Sequence, residues 1–248
     1  MRGPVLFDVD GTVVDTPGAN ATLIAEVVAE TGRPRPAEAA ARALIGRSLD
    51  AIFSELLGLP VDHPEVGQAK TRFRQRFTDQ VVPTATSLVF PGVVELLGEL
   101  RRQERPLAVV TSKITVSATE MLRAAGLIDA FDTVVCHDMA PRGKPYPDLA
   151  LLAAEHLGAS PADCVMVGDA LDDIRMAVAA GMAPVGVGYG VATSEQLFAA
   201  GAVAVAPSAA ALSGILGGLS GPGNSGAETP VPPGASAGRP ETIPSTAR

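Results

Sequence analysis

Cysteine is scarce: Cys136 and Cys164 are the only two in 248 residues. Two thiols give no disulfide framework. Both sit in apolar runs, TVVCHD and DCVMVGD, which reads as buried reduced thiols and a cytoplasmic home. Basic residues are outnumbered, 19 against 27 acidic, so the formal net charge is −8. That deficit excludes nucleic acid and polyanionic membrane surfaces from the expected partners, because phosphate contacts depend on clustered Lys and Arg. A strongly apolar run is also missing. Leu197 to Leu219 carries no charge but is mostly Ala, Gly and Ser and is interrupted by Pro207, which reads as a buried strand and helix rather than a bilayer span. The opening MRGPVLFDVDG meets an acid at residue 8, too early for the apolar stretch of a signal peptide. Histidines number three, and His63, His137 and His156 are expected to be structural.

What is present is a large apolar fraction, 47%, enough for a buried core. Val5 to Phe7, Leu107 to Val110, Thr133 to Cys136, Cys164 to Val167 and Pro184 to Val187 are near-continuous apolar runs, with Val203 to Val205 a weaker sixth. Strands buried on both faces of a parallel sheet read this way. Helical patterns lie between them: a stripe of Val93, Val94, Leu96, Leu97 and Leu100, a run through Met121, Leu122 and Ala125 before Gly126, and Ile174, Ala177 and Val178 before Gly181. Repeated βα order makes an α/β fold, a three-layer doubly wound parallel sheet of Rossmann-like type.

Residues 16–86 break that rhythm with helical periodicity and no convincing strand: Leu23, Ile24, Val27 and Val28 form one stripe, and Leu49, Ile52, Phe53, Leu56 and Leu57 form another, capped by Ser48. This is far longer than a crossover needs. The expected organisation is an α/β core of residues 1–15 and 87–216, an inserted all-helical cap at 16–86, and a tail. The tail, 217–248, draws 17 of its 32 residues from Gly, Pro and Ser and is expected to be disordered.

Chemistry gathers at the strand ends. The first strand runs into Asp8-Val9-Asp10-Gly11-Thr12, two carboxylates pointing the same way off extended backbone. The second ends in Thr111-Ser112-Lys113, hydroxyls and backbone N–H groups suited to anionic oxygens. After the third comes Lys144, set between Gly143 and Pro145. The fourth ends in Asp169, with Asp173 one helical turn beyond, while Asp172 reads as an ordinary acid at a helix start. In an open α/β sheet the ligand crevice lies beyond the carboxyl ends of the strands. Carboxylates that close repel unless a cation sits among them, so Mg²⁺ is implied. A metal, a Lys and hydroxyl donors around a carboxylate describe a phosphoryl-transfer site.

These four motifs, DVDGTVVD, VVTSK, GKPYPD and VGDALDD, resemble in order and placement the haloacid dehalogenase-superfamily phosphatases with a helical cap after the first strand, phosphoglycolate phosphatases among them. The likeness spans residues 4 to 215, and Val9 departs mildly from the bulkier residue usual there. It implies a Mg²⁺-dependent phosphatase for a small phosphorylated metabolite. In that frame Asp8 attacks phosphorus, and Asp10 is the acid and base while its backbone carbonyl touches the metal. Thr111 and the Ser112 N–H hold phosphoryl oxygens, Lys144 offsets charge, and Asp169 and Asp173 complete the metal site with Asp8. Arg47, before the Ser48-capped helix, is a candidate for meeting the leaving group. Arg72, Arg74 and Arg76, interleaved with Phe73 and Phe77, read as a solvated helix face over a Phe core.

Two other readings remain beside it. A sugar-phosphate mutase of the same family is expected to carry a cap histidine where this chain has Asn20. A non-catalytic phosphometabolite-binding domain would be free to lose Asp10 or Lys144, and both are present. The sequence names neither the substrate nor a protein partner.

Overall fold

The structure is a computed structural model that describes residues 2–219. Six parallel strands form one sheet: β1 (Val5–Phe7), β2 (Leu107–Thr111), β3 (Thr133–Cys136), β4 (Val165–Gly168), β5 (Ala183–Val187) and β6 (Ala204–Ala206), in the order β3-β2-β1-β4-β5-β6. All six expected strands are found, each within a residue of its expected ends. β1 lies at the centre, with Phe7 level with Val109 on one side and Val167 on the other.

Alternation along the strands builds two cores. Val5, Phe7, Val109 and Val167 face one layer, which includes Leu97 and Leu100 of α5 (Val93–Arg102) and Leu212 and Leu216 of α10 (Ala209–Gly218). Leu6, Ala108, Val110 and Met166 face the other, with Leu149 and Ala153 of α7 (Asp148–His156) and Met176 and Ala177 of α8 (Leu171–Ala180). α6 (Thr115–Ala124) and α9 (Ser194–Ala200) complete the layers. Both cysteines are buried free thiols. Two apolar residues depart from the expected stripes. Val94 is 59% exposed and Val178 is 53% exposed; each directly neighbours a buried position and so turns about 100° away from it along the helix.

Between β1 and β2 lie α1 (Pro17–Glu30), α2 (Glu38–Arg42), α3 (Leu49–Leu57) and α4 (Pro64–Arg76). A π turn, Phe77–Val81, and a 3₁₀ segment, Val82–Leu88, lead back toward the core. Ser48 caps α3 by accepting from Ala51 N, and Gly58 ends it in the left-handed region. Ile24 and Val27 of α1, Ile52 and Phe53 of α3 and Val66 and Phe73 of α4 share one buried cluster. The chain leaves and re-enters the core at one place: Val14 and Val89 form an antiparallel bridge, flanked by Asp15 N donating to Leu88 O at 2.7 Å and Phe90 N to Val13 O at 3.2 Å.

Gly217 and Gly218, placed in the expected tail, belong to α10. α10 runs through Gly218, held where Leu216 is buried and its carbonyl accepts from Arg105 Nη1 at 3.0 Å. Residues 220–248 of that expected tail lie outside the described residues. No helix among the described residues is long and apolar enough to cross a membrane.

Candidate active site

β1 hands its ladder directly to the first acid, because Asp8 N still donates to Val167 O at 2.9 Å. The chain then turns tightly: Thr12, Val13 and Val14 all donate to Val9 O, and Gly11 takes φ +83°, where a side chain is strained. A Cβ on Gly11, or on Gly190 across the site, would overlap the Asp169 carboxylate. Both glycines therefore let backbone close around that acid.

The strand ends bring Asp8, Asp169 and Asp173 together, with one carboxylate oxygen from each lying within 4.8 Å of the others. All three are buried. Asp169 is fixed on both oxygens, by Thr12 Oγ1 at 2.9 Å and by Val191 N at 2.9 Å. Asp173 is fully buried and accepts from Ala170 N at 3.0 Å, so the start of α8 aims it back at the sheet. Lys144 enters from the loop after β3. Its Nζ lies 2.7 Å from Asp8 Oδ1 and 2.6 Å from Asp173 Oδ1, with its side chain wholly out of solvent.

Electrostatics follows from that crowding. Burial pushes the Asp8 carboxyl up to about 7, against the pull of Lys144 and with the nearby Asp173 and Asp10 adding to it. Asp169 is raised well above the ordinary range, first by burial and then by Asp173 and Asp8. Burial opposes charge on Lys144, but Asp173 and Asp8 outweigh it and raise its value. Three carboxylates against one ammonium leave two uncompensated negative charges when all ionise. A divalent cation with a taste for carboxylate oxygens matches that set in donor type and in charge.

Asp10 stands apart from the cluster. Its carboxylate accepts from Thr16 Oγ1 and from Asn20 Nδ2 at 3.3 Å, and pairs with Lys113 Nζ at 3.1 Å. Lys113 also sits 3.9 Å above the centroid of the Phe77 ring, so one ammonium links Asp10 to the helical insertion. A cleft opens here, with Asp8, Asp10 and Thr111 on the sheet side and Ile24, Ile52 and Phe73 on the insertion side.

This geometry sits in a chain whose relatives agree on one family. The haloacid dehalogenase-like hydrolase family matches residues 5–187. The chain belongs to the haloacid dehalogenase-like hydrolases. It is 44% identical over 200 residues to the Probable phosphatase IndB of Dickeya dadantii, covering 81% of this chain and 87% of that one. It is 30% identical over 215 residues to the phosphoglycolate phosphatase of Escherichia coli strain K12, covering 79% and 85%. A hydrolase structure from Pseudomonas syringae superposes with a TM-score of 0.79 at 27% identity, over 88% of this chain and all of that one. The enzyme is a phosphoric monoester hydrolase of phosphoglycolate phosphatase-like type.

Within this haloacid dehalogenase-like hydrolase, Asp8, Asp169, Asp173 and Lys144 come together as the motifs led one to expect. Asp10 lies beside them with its carboxylate turned to the cleft. Thr111 is buried at the sheet edge and its Oγ1 accepts from Lys113 N at 3.2 Å. Ser112 lines the cleft, but its hydroxyl is committed elsewhere, donating to Gly46 O at 2.7 Å and tying the core to the loop of the insertion. Arg47 also lines the cleft while pairing with Glu55 at 2.6 Å. Among the other acids and histidines, Asp172 pairs with Arg175 at 3.3 Å, His63 caps α4, and His156 meets Thr133 at 3.0 Å, all away from the cluster.

Several residues emerge only in three dimensions. Thr12 and Thr16 orient the two key acids. Asn20 is buried, and its Oδ1 has no partner although its amide nitrogen serves Asp10. His137 directly follows β3 and lines the cleft, with Nδ1 buried and unpartnered. Its position at a strand end was the available signal. Lys113 stood in the VVTSK motif, next to hydroxyls that drew attention first. The three arginines of α4 also part company: Arg76 pairs with Glu26 at 3.0 Å and with Glu30, Arg72 is exposed, and Arg74 turns out to line the cleft.

Proposed function

We propose that the enzyme hydrolyses a small phosphomonoester with Mg²⁺, by way of a phosphoryl group carried on Asp8. The observation that carries this reading is Lys144, buried and bridging Asp8 to Asp173 within a net-anionic cluster that opens on the cleft. Asp8, Asp169 and Asp173 would hold the metal through side chains, joined by the backbone carbonyl of Asp10. Bound there, Mg²⁺ supplies positive charge to offset the phosphoryl oxygens.

An Asp8 oxygen attacks phosphorus as the ester oxygen departs with a proton from Asp10, leaving a free alcohol and an aspartyl-phosphate. Asp10 then takes a proton from water as that water attacks the same phosphorus, releasing inorganic phosphate and restoring Asp8. Thr16, Asn20 and Lys113 hold the Asp10 carboxylate at the cleft, on the leaving-group side. Thr111 and the Ser112 N–H are assigned to phosphoryl oxygens, and Lys144 keeps the nucleophile oriented and offsets transferred charge. Residues 16–86 act as a cap that supplies the leaving-group wall, Arg47 included.

Asn20, in place of a histidine, leaves no imidazole at that position to move a proton to a sugar hydroxyl, which favours the phosphatase over the mutase. The test is turnover of p-nitrophenyl phosphate. Asp8→Asn should abolish it, and chelating Mg²⁺ from the wild type should do so reversibly. Activity retained in Asp8→Asn would remove the nucleophile from this scheme.

A further inference from the structure

The leaving-group side of the cleft has a lopsided chemistry. Ile24, Ile45, Ile52, Phe73 and Phe77 are buried side chains that also line it. Phe73 and Phe77 stack on each other, centroids 6.0 Å apart and planes at 26°. Such a wall offers apolar and aromatic surface to whatever leaves with the ester oxygen. The cations around it are mostly spoken for. Arg47 pairs with Glu55, and Lys113 with Asp10. Lys70, near by on α4, pairs with Asp50, itself a lining residue.

Arg74 is different. It follows Phe73 on α4 and lines the same cleft, and among the described residues its guanidinium makes no ion pair and no hydrogen bond. A guanidinium offers a rigid fork of donors that suits a carboxylate or a similar planar anion. The family chemistry does not need it, since the phosphoryl end already has Lys144 and the metal ligands.

We propose that Arg74 sets substrate specificity by receiving an anionic group on the leaving alcohol, whose body is an apolar ring covering Phe73 and the isoleucines. This rests on the phosphatase reading above and narrows it. Glycolate brings an anion but no apolar body for that wall, so phosphoglycolate is a poor substrate for this chain.

The experiment compares kcat/KM, with Mg²⁺ present, for phenyl phosphate, 4-carboxyphenyl phosphate and phosphoglycolate. In the wild type the ring carboxylate is expected to raise kcat/KM by about tenfold to a hundredfold over phenyl phosphate, the range of a charged hydrogen-bonded contact. Phosphoglycolate should fall below 4-carboxyphenyl phosphate. In Arg74→Met the carboxylate preference should collapse toward one, and Arg74→Lys should restore part of it. The ratio of two substrates on one variant is insensitive to a general loss of folded enzyme. An equal preference in wild type and Arg74→Met overturns the proposal, as does phosphoglycolate emerging as the best of the three. In either case Asp8-dependent turnover would leave the phosphatase reading standing. If the wild type cleaves none of the three esters, that reading falls and this one with it.

Discussion

Replacing Lys144 by Met removes the ammonium that bridges Asp8 and Asp173 while keeping the stem that fills its slot. The side chain is out of solvent, and both contacts are under 3 Å, at 2.7 and 2.6 Å. Stripping one partner from a buried ion pair typically costs about 3–5 kcal/mol, because a desolvated charge is left uncompensated. At about 2–4 °C per kcal/mol for a chain of this size, the melting temperature should fall by about 6–20 °C. The assay is thermal unfolding followed by circular dichroism in EDTA at about pH 9, because losing Lys144, which holds the Asp8 value down, lifts it beyond the value of about 7 in the intact site. Repeating it near pH 5.5 tests the cause. Asp8 is then largely protonated, and Asp169 is raised for the same reason of burial, so less charge is left stranded and the penalty should shrink. A packing defect would not respond in that way. A loss under about 2 °C at the higher pH, or an equal loss at both, would refute the electrostatic account.

Three further outcomes are expected. Asp10→Asn should lower kcat on p-nitrophenyl phosphate by about 10²–10⁴-fold, the range for a positioned acid and base, as measured by steady-state kinetics. Gly11→Ala forces a side chain into φ +83° and into the Asp169 carboxylate, so urea unfolding should show a loss of at least about 1–3 kcal/mol together with weakened Mg²⁺ dependence. Without divalent cation, Asp8→Asn should gain melting temperature relative to wild type as pH rises from about 5 to about 8. A carboxyl raised in the fold contributes stability that is complete below its ordinary value of 3.8 and lost as pH climbs through about 7, and asparagine has no such loss. A flat difference across that range would contradict the raised value.

The sheet was legible because its strands are buried on both faces and so read as unbroken apolar runs. The acids at its edge were legible because Asp8, Asp10 and Asp169 each sit at or just past a strand end, where topology alone brings them close, and Lys144 because Gly143 and Pro145 frame it in the loop after β3. Helix faces were read less finely: Val94 and Val178 are apolar beside buried neighbours, and hydrophobicity cannot tell which of two adjacent residues turns outward. The supporting cast was the least visible. Thr12 meets Asp169 across 157 positions, and the role of Lys113 depends on Phe77 arriving from the insertion. Ser112 looked like an anion ligand by type, yet its hydroxyl is taken by Gly46 O. Arg74 is indistinguishable in sequence from Arg72 and Arg76, since which of three alternating arginines faces a cleft depends on how α4 lies over the core.

The bridge between Val14 and Val89 makes the intervening helices a cassette. Because departure and return share one short ribbon, the six-stranded sheet meets the same anchor points whatever length of chain is strung between them. The entropy of closing such a loop rises only slowly with its length. The wall that greets the leaving group can thus be exchanged or rebuilt without shifting the register of β1 or the aim of Asp8. In engineering terms, residues 15–88 are the segment to graft when a new alcohol is wanted, provided the incoming chain keeps Thr16 and Asn20, which hold Asp10.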